Sequence, residues 1–277
     1  MPAYPKNRKG RKVSFVNNQP ASAAPPNEVR VLIPNVRPTA TYALLGILAV
    51  VFLAELAVEQ TNPDQSLITQ GALSLATVAH GDYYRLLTAM FLHVDPAHIF
   101  FNGYALYVVG VTVERFFGHF RFLAIYFLGG LAGGLASIGL TSNPESFSVG
   151  ASGAIFAIFG AEIVFLYLNR RLFARSAQTY LRRLVILAVL NFAIDLYTQI
   201  GPSPIRIDLW AHVGGFIAGI VLAWLMGPRY RGREDPFSIP GVRIDDMVAG
   251  ERILVVSAAF AVVLVVLFFV RLGLYQG

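Results

Sequence analysis

The amino-acid sequence predicts an all-α membrane protein with seven spanning helices, and three observations carry that prediction. Of its 277 residues, 56% are hydrophobic and only 14% charged, whereas a soluble domain carries about 25% charged residues. Seven apolar runs come close to the roughly 20 residues a helix needs to cross a bilayer. They fall at approximately 40–58, 98–117, 121–140, 151–168, 184–200, 207–227 and 253–270. The cationic residues that separate them fall almost entirely on alternate sides.

The elements follow in order. Residues 1–39 are rich in Pro, Asn, Lys and Arg, with Glu28 as the only acid, the composition of a basic, disordered tail. The first apolar run, from Thr41 to Val58, is longer than a secretory h-region and reads as a signal-anchor. With the tail inside, seven Lys/Arg precede the first helix, two lie around Arg115–Arg121, five in Arg170–Arg183 and five in Arg229–Arg252. That is nineteen of twenty-two, with only Arg85, Arg206 and Arg271 outside. The bias predicts a cytoplasmic N-terminus and an external C-terminus. The chain thus reads as a tail (1–39), six spanning helices (40–227), a cytoplasmic linker (228–252) and a seventh, C-terminal helix (253–277). The long segment 59–97, semi-apolar around Tyr83–Leu92, is expected to form an amphipathic helix lying at the interface.

Charge and cysteine content exclude several classes. The net charge of +6 comes with all three lysines (Lys6, Lys9, Lys12) in the first dozen residues, which reads as topology rather than a nucleic-acid patch. There is no cysteine, so disulfides, thiolate metal sites and a cysteine nucleophile are ruled out.

Polar groups inside a membrane are costly, and each is a functional candidate. Four stand out: His98 and Asn102 in the second helix, Ser152 in the fourth and His212 in the sixth. Ser152 lies in Gly150-Ala151-Ser152-Gly153. Small neighbours let a substrate backbone approach the hydroxyl, and free amides at a helix start can receive a developing oxyanion. Taken alone, the same motif reads more readily as helix packing. His212 sits three residues before Gly215, and Gly215 and Gly219 are four apart. That face can pack closely on another helix and aim the imidazole at it; a hydrogen-bonded bundle histidine would look the same. His98 and Asn102, also four apart, share a face and can offer two donors to one point.

Depth joins these candidates. Ser152 lies roughly 24 Å from the inner end of its helix, His212 roughly 21 Å and Asn102 roughly 20 Å, at 1.5 Å per residue. All three therefore occupy the outer third of a core about 30 Å thick. Glu162, roughly 15 Å deeper than Ser152, does not share that level. Asp208, one turn outward of His212, is a candidate to orient it.

Over about residues 80–227 the chain resembles the rhomboid family of intramembrane serine proteases. The resemblance is carried by Tyr84-Arg85-Leu86-Leu87-Thr88, His93, His98-x-x-x-Asn102, Glu114-Arg115-Phe116-Phe117-Gly118, Gly150-Ala151-Ser152-Gly153 and Ala211-His212-x-x-Gly215-x-x-x-Gly219. It implies Ser152 as nucleophile, His212 as general base, and His98 and Asn102 as oxyanion donors beside the Ser152 amide. It implies that Arg85 and His93 hold the first outer loop, and that Glu114 and Arg115 are structural. The implied fold is a six-helix core plus one C-terminal helix. The implied activity is hydrolysis of peptide bonds in or near membrane-spanning segments of single-span proteins, in the bilayer of a bacterial inner membrane and with no cofactor. Tyr84 stands where the family usually has Trp. Asn191 and Asp195 fall in the fifth helix, the family's lateral gate, and are expected to pair within the bundle.

Other classes fit less well. No histidine pair forms His-Glu-x-x-His, the metalloprotease arrangement. A membrane aspartyl protease needs two facing aspartates, and Asp195 has no evident second. A transporter or channel also gathers polar groups at one depth, but it predicts inverted repeats, which the sequence lacks.

Overall fold

The computed structural model describes residues 12–16, 28–32, 35–170, 172, 174–200, 207–234 and 242–276. Lys6, Arg8, Lys9, Arg11, Arg171 and Arg206, used in the charge count, lie outside them. Seven apolar helices make the body among the described residues. These are α1 (Thr39–Thr61), α2 (Pro96–Phe117), α3 (His119–Leu140), α4 (Ser152–Leu168), α5 (Ala174–Ile200), α6 (Leu209–Met226) and α7 (Gly250–Gln276). Six are long and apolar enough to cross a membrane; the chain is an integral, multi-pass membrane protein. Helix α4 has 17 residues, about 26 Å of rise, which is shorter than the other six.

Helices α3, α4 and α6 form the centre, and α4 is buried almost throughout. What lets them approach is the absence of side chains. A Cβ on Gly215 would strike the Gly153 carbonyl, and one on Gly219 the Ala157 carbonyl. The face of α6 marked by this four-residue spacing therefore packs on α4, backbone against backbone.

Helix α2 changes register part-way, with a π-helical stretch at Leu106–Gly110. Near its far end, the fully buried Glu114 reaches across to α1 and accepts from the amides of Ala40 and Thr41 (2.8 and 2.6 Å) and from the Thr41 hydroxyl (2.6 Å). Helix α1 has no cap from its own chain neighbour, Pro38. Glu114 supplies one, answering free first-turn amides with a negative charge.

The segment 59–97 is not one interfacial helix. It contains short turns of helix at Pro63–Gln65, Leu67–Gly71, Leu75–Ala79, Arg85–Thr88 and Ala89–Phe91. Local chemistry breaks it up: Ser66 caps one turn, Ser74 and Thr77 form a capping box at the next, and Gly81 takes φ +104°. Serine caps and left-handed glycine favour starting and stopping over continuing.

Between α6 and α7 the chain forms an antiparallel hairpin, β3 (Tyr230–Glu234) with β4 (Val242–Asp246). It is docked on the helices. Asn169, just past α4, donates to the Pro228 carbonyl and accepts from the Tyr230 amide, and Arg121 pairs with Asp246 at 2.6 Å. In the tail, Lys12–Val16 (β1) and Glu28–Leu32 (β2) pair in parallel.

Candidate active site

The site assembles around the start of α4. Gly150 takes φ +120°, a conformation open to glycine, and its amide donates to the Ala89 carbonyl at 2.8 Å. This turn delivers Ser152 to the first position of α4, half-buried beside a small cleft lined by Met90, Gly150, Gly153 and Ala211. No side chain caps α4 at Ala151, so its first-turn amides stay available.

From α2, two side chains converge on that turn. An added Cβ on Gly150 would lie 2.7 Å from His98 Nε2 and 3.4 Å from Asn102 Nδ2. Asp95 caps α2 by accepting from the His98 amide at 2.8 Å, which sets His98 at the helix entrance. Asn102 Nδ2 donates to His93 Nε2 at 3.0 Å, while His93 Nδ1 donates to the Phe91 carbonyl at 3.2 Å. The two bonds fix one tautomer of His93. Its ring meets that of His98 edge-on, centroids 4.9 Å apart. Burial, with His98 nearby, pushes the His93 imidazole down to about 4, so it is neutral at physiological pH.

From α6, His212 lies flat on Phe156, centroids 4.2 Å apart and planes at 20°. Phe156 is four residues after Ser152, on the same face of α4, so the imidazole stacks on the side of α4 that also carries the serine. His212 Nδ1 donates to Asp195 Oδ2 at 2.7 Å. A carboxylate only accepts, so Nδ1 carries the proton and Nε2 keeps a lone pair. No hydrogen bond joins Ser152 to His212 directly among the described residues; such bonds are often long before substrate binds.

The remaining candidates frame the site. Arg85 bonds Asp82 Oδ2 at 2.9 Å and the carbonyls of Thr69 and Ala72 at 2.9 and 3.1 Å, tying three parts of the first loop together. Gly153, Gly215 and Gly219 lie in the α4–α6 contact. Asp208 does not orient His212. As the N-cap of α6 its carboxylate accepts from the Ala211 amide and from Ser137 Oγ at 2.6 Å, so it is engaged by the helix end and by α3 rather than by the imidazole. Asn191 donates back to Leu187 of its own helix. Asp195, expected to pair within the bundle, does so with His212; a residue passed over from sequence is the buried Glu55 of α1, which accepts from the His93 amide at 3.0 Å. An acid inside the first apolar run was the available signal for Glu55.

Comparison with known proteins places the chain in a family. Residues 80–229 match the Rhomboid domain, just over half the chain. The chain belongs to the rhomboid family. It is 36% identical over 194 residues to Rhomboid protease GluP of Bacillus subtilis, covering 70% of this chain and 36% of that protein. It is 36% identical over 172 residues to RHOMBOID-like protein 5 of Arabidopsis thaliana, 61% of this chain and 53% of the relative. RHOMBOID-like protein 2 of the same plant is 34% identical over 163 residues, 58% and 48% of the two chains. The chain thus spans about a third to a half of the length of these rhomboid relatives.

Proposed function

We propose that this rhomboid is an intramembrane serine endopeptidase that uses Ser152 and His212. The observation that carries the reading is convergence on the start of one helix. His98 and Asn102 crowd the Gly150 turn from α2, and the His212 ring from α6 stacks on Phe156, one turn along α4 from Ser152. Likeness to a relative named as a protease supports the reaction class.

In this scheme His212 Nε2 takes the Ser152 hydroxyl proton as Oγ bonds to the substrate carbonyl carbon. The carbonyl oxygen becomes an oxyanion, met by His98, Asn102 and the Ser152 amide. The C–N bond then breaks, and the imidazolium returns its proton to the leaving amine. Water, deprotonated by His212, releases the acyl group and restores the serine. No cofactor enters. Arg85 and His93 keep the overlying loop in place.

The cation bias supports a cytoplasmic N-terminus and an external C-terminus; a bacterial inner membrane and single-span substrates fit that arrangement. A substrate helix must unwind before its carbonyl reaches Ser152, because helical carbonyls are already bonded. Small or helix-breaking residues near the outer end of the span lower that cost, by about 1 kcal/mol for Gly and about 3 for Pro relative to Ala. Cleavage is therefore expected after a small residue near the outer boundary.

The test is cleavage of a single-span model substrate in lipid vesicles. Ser152→Ala and His212→Ala each abolish cleavage in a folded protein, and product masses place the cut at the outer end. Full activity in either variant, or efficient cuts at the cytoplasmic end, refutes the proposal.

A further inference from the structure

Resting on the Ser152–His212 reading, we infer that Asp195 is a positioning residue that holds His212 from behind, making the site a serine–histidine–aspartate triad drawn from α4, α6 and α5. The Nδ1–Oδ2 distance is 2.7 Å, and the two side chains are 8% and 4% exposed. Phe156 covers one face of the imidazole. Phe192, one turn before Asp195 on α5, packs against both Phe156 and Phe216 with ring centroids 5.3 Å away in each case. The pair is therefore enclosed by aromatic rings rather than water.

The register of Asp195 is also built in. Thr198 Oγ1 donates to the Asp195 carbonyl at 2.8 Å and accepts from the Ile207 amide at 3.2 Å. Gln199 Nε2 donates to the Ile207 carbonyl at 2.5 Å. The last turn of α5 is thus clamped to the entry of α6, five residues before His212. Asp208, the nearer acid in sequence, is occupied in capping α6.

Docking α5 on α6 does not need an acid here. Burying a carboxylate costs several kcal/mol, and well-packed apolar groups hold helices together at least as well. What the carboxylate does that a leucine cannot is fix the imidazole with Nδ1 protonated. It also offsets the positive charge His212 gains when it takes the Ser152 proton. During acyl transfer the proton moves from Ser152 Oγ to Nε2 and then to the leaving amine; Asp195 stays ionised and exchanges no proton. Because Asp195 rides on α5, the His212 tautomer also depends on α5 staying docked.

The test is Asp195→Asn in the full chain, reconstituted in vesicles, with Ser152→Ala and His212→Ala alongside. The amide keeps size and shape but removes the charge. We expect kcat to fall by about 10²–10⁴, the upper figure being the cost of this exchange in a soluble serine-protease triad, with KM unchanged. Labelling of Ser152 by a fluorophosphonate slows in parallel, and Asp195→Glu recovers part of the rate. In ¹⁵N-histidine-labelled protein, a downfield Nδ1 proton signal that disappears in His212→Ala should also disappear in Asp195→Asn. Unchanged kcat per folded molecule, with only the thermal midpoint lowered, would make Asp195 a structural residue and overturn the inference. If Asp195→Asn does not fold, the wild-type spectrum and Asp195→Glu decide: no such Nδ1 signal, or no activity in a folded Asp195→Glu, overturns it. Inactive Ser152→Ala and His212→Ala beside a fully active Asp195→Asn would sink this inference alone. Activity in the first two would sink the dyad beneath it.

Discussion

Helices α4 and α5 carry two of the three members of the proposed triad, yet their surroundings are opposite. Thirteen of the 17 residues of α4 are buried, including every residue from Gly153 to Glu162. Helix α5 instead turns Val185, Ile186, Leu187, Val189, Leu190, Ile194 and Leu196 outward. An apolar outward face is what lipid contact requires. The proposed nucleophile thus sits on the most enclosed helix and the acid on a peripheral one. The difference teaches that rigidity is concentrated where the attacking atom and the oxyanion pocket must stay in register. The residue proposed to hold the imidazole from behind sits on an element held by a few specific contacts.

The comparison can be broken or sharpened by four measurements, from the largest expected effect to the smallest. His98→Ala or Asn102→Ala should lower kcat by about 10²–10³, equivalent to roughly 2.7–4 kcal/mol, with a residual rate and a near-normal melting temperature. A large fall in melting temperature with an intact rate per folded molecule would make these residues scaffold only.

The second measurement concerns pH. His93 titrates near 4 in the fold against an ordinary 6.5, chiefly through burial. The unfolded chain therefore binds the proton more readily, and stability is lost as pH falls from about 6.5 towards 4. The loss from this group is on the order of 3 kcal/mol at most. Around His93 stand Glu55 of α1 and His98 and Asn102 of α2. Thermal unfolding of His93→Asn should depend less on pH across that window; an identical dependence would show that His93 is not the responsive group.

Third, Gly219→Val should destabilise the protein by about 1–3 kcal/mol or more, because the new Cβ meets the backbone of Ala157, which cannot rotate away. Unfolding in detergent reads this out, and unaltered stability would mean α4 and α6 are not in such close contact. The smallest effect belongs to α5: Leu190→Val, on its outward face, should change stability by no more than about 0.5 kcal/mol and leave kcat untouched. A marked loss in the same assays would show that this face packs against protein.

Much of this was legible in the sequence, and the exceptions have physical causes. Apolar runs located all seven helices because lipid forces a spanning backbone to satisfy itself within one segment. The Gly215–Gly219 spacing marked the α6 face because close approach requires missing side chains. The β3–β4 hairpin was not legible: its strands, Tyr230–Glu234 and Val242–Asp246, are polar and charged, and their docking rests on Asn169 and Arg121 far away in the chain. The fragmentation of 59–97 was written in Ser66, Ser74 and Gly81, but its apolar content pointed to a single helix. The partner of His212 was hidden for another reason. Helical spacing within α6 nominates Asp208, whereas which residue of α5 meets His212 depends on how the two helices are joined, which no periodicity encodes.

The central claim is that Ser152 is a nucleophile activated by His212, and active-site labelling tests it most directly. Incubated with a fluorophosphonate and digested, the folded wild-type protein should carry the label on Ser152, while folded His212→Ala should label far more slowly. A label on another residue, or equal labelling of His212→Ala, would contradict the account.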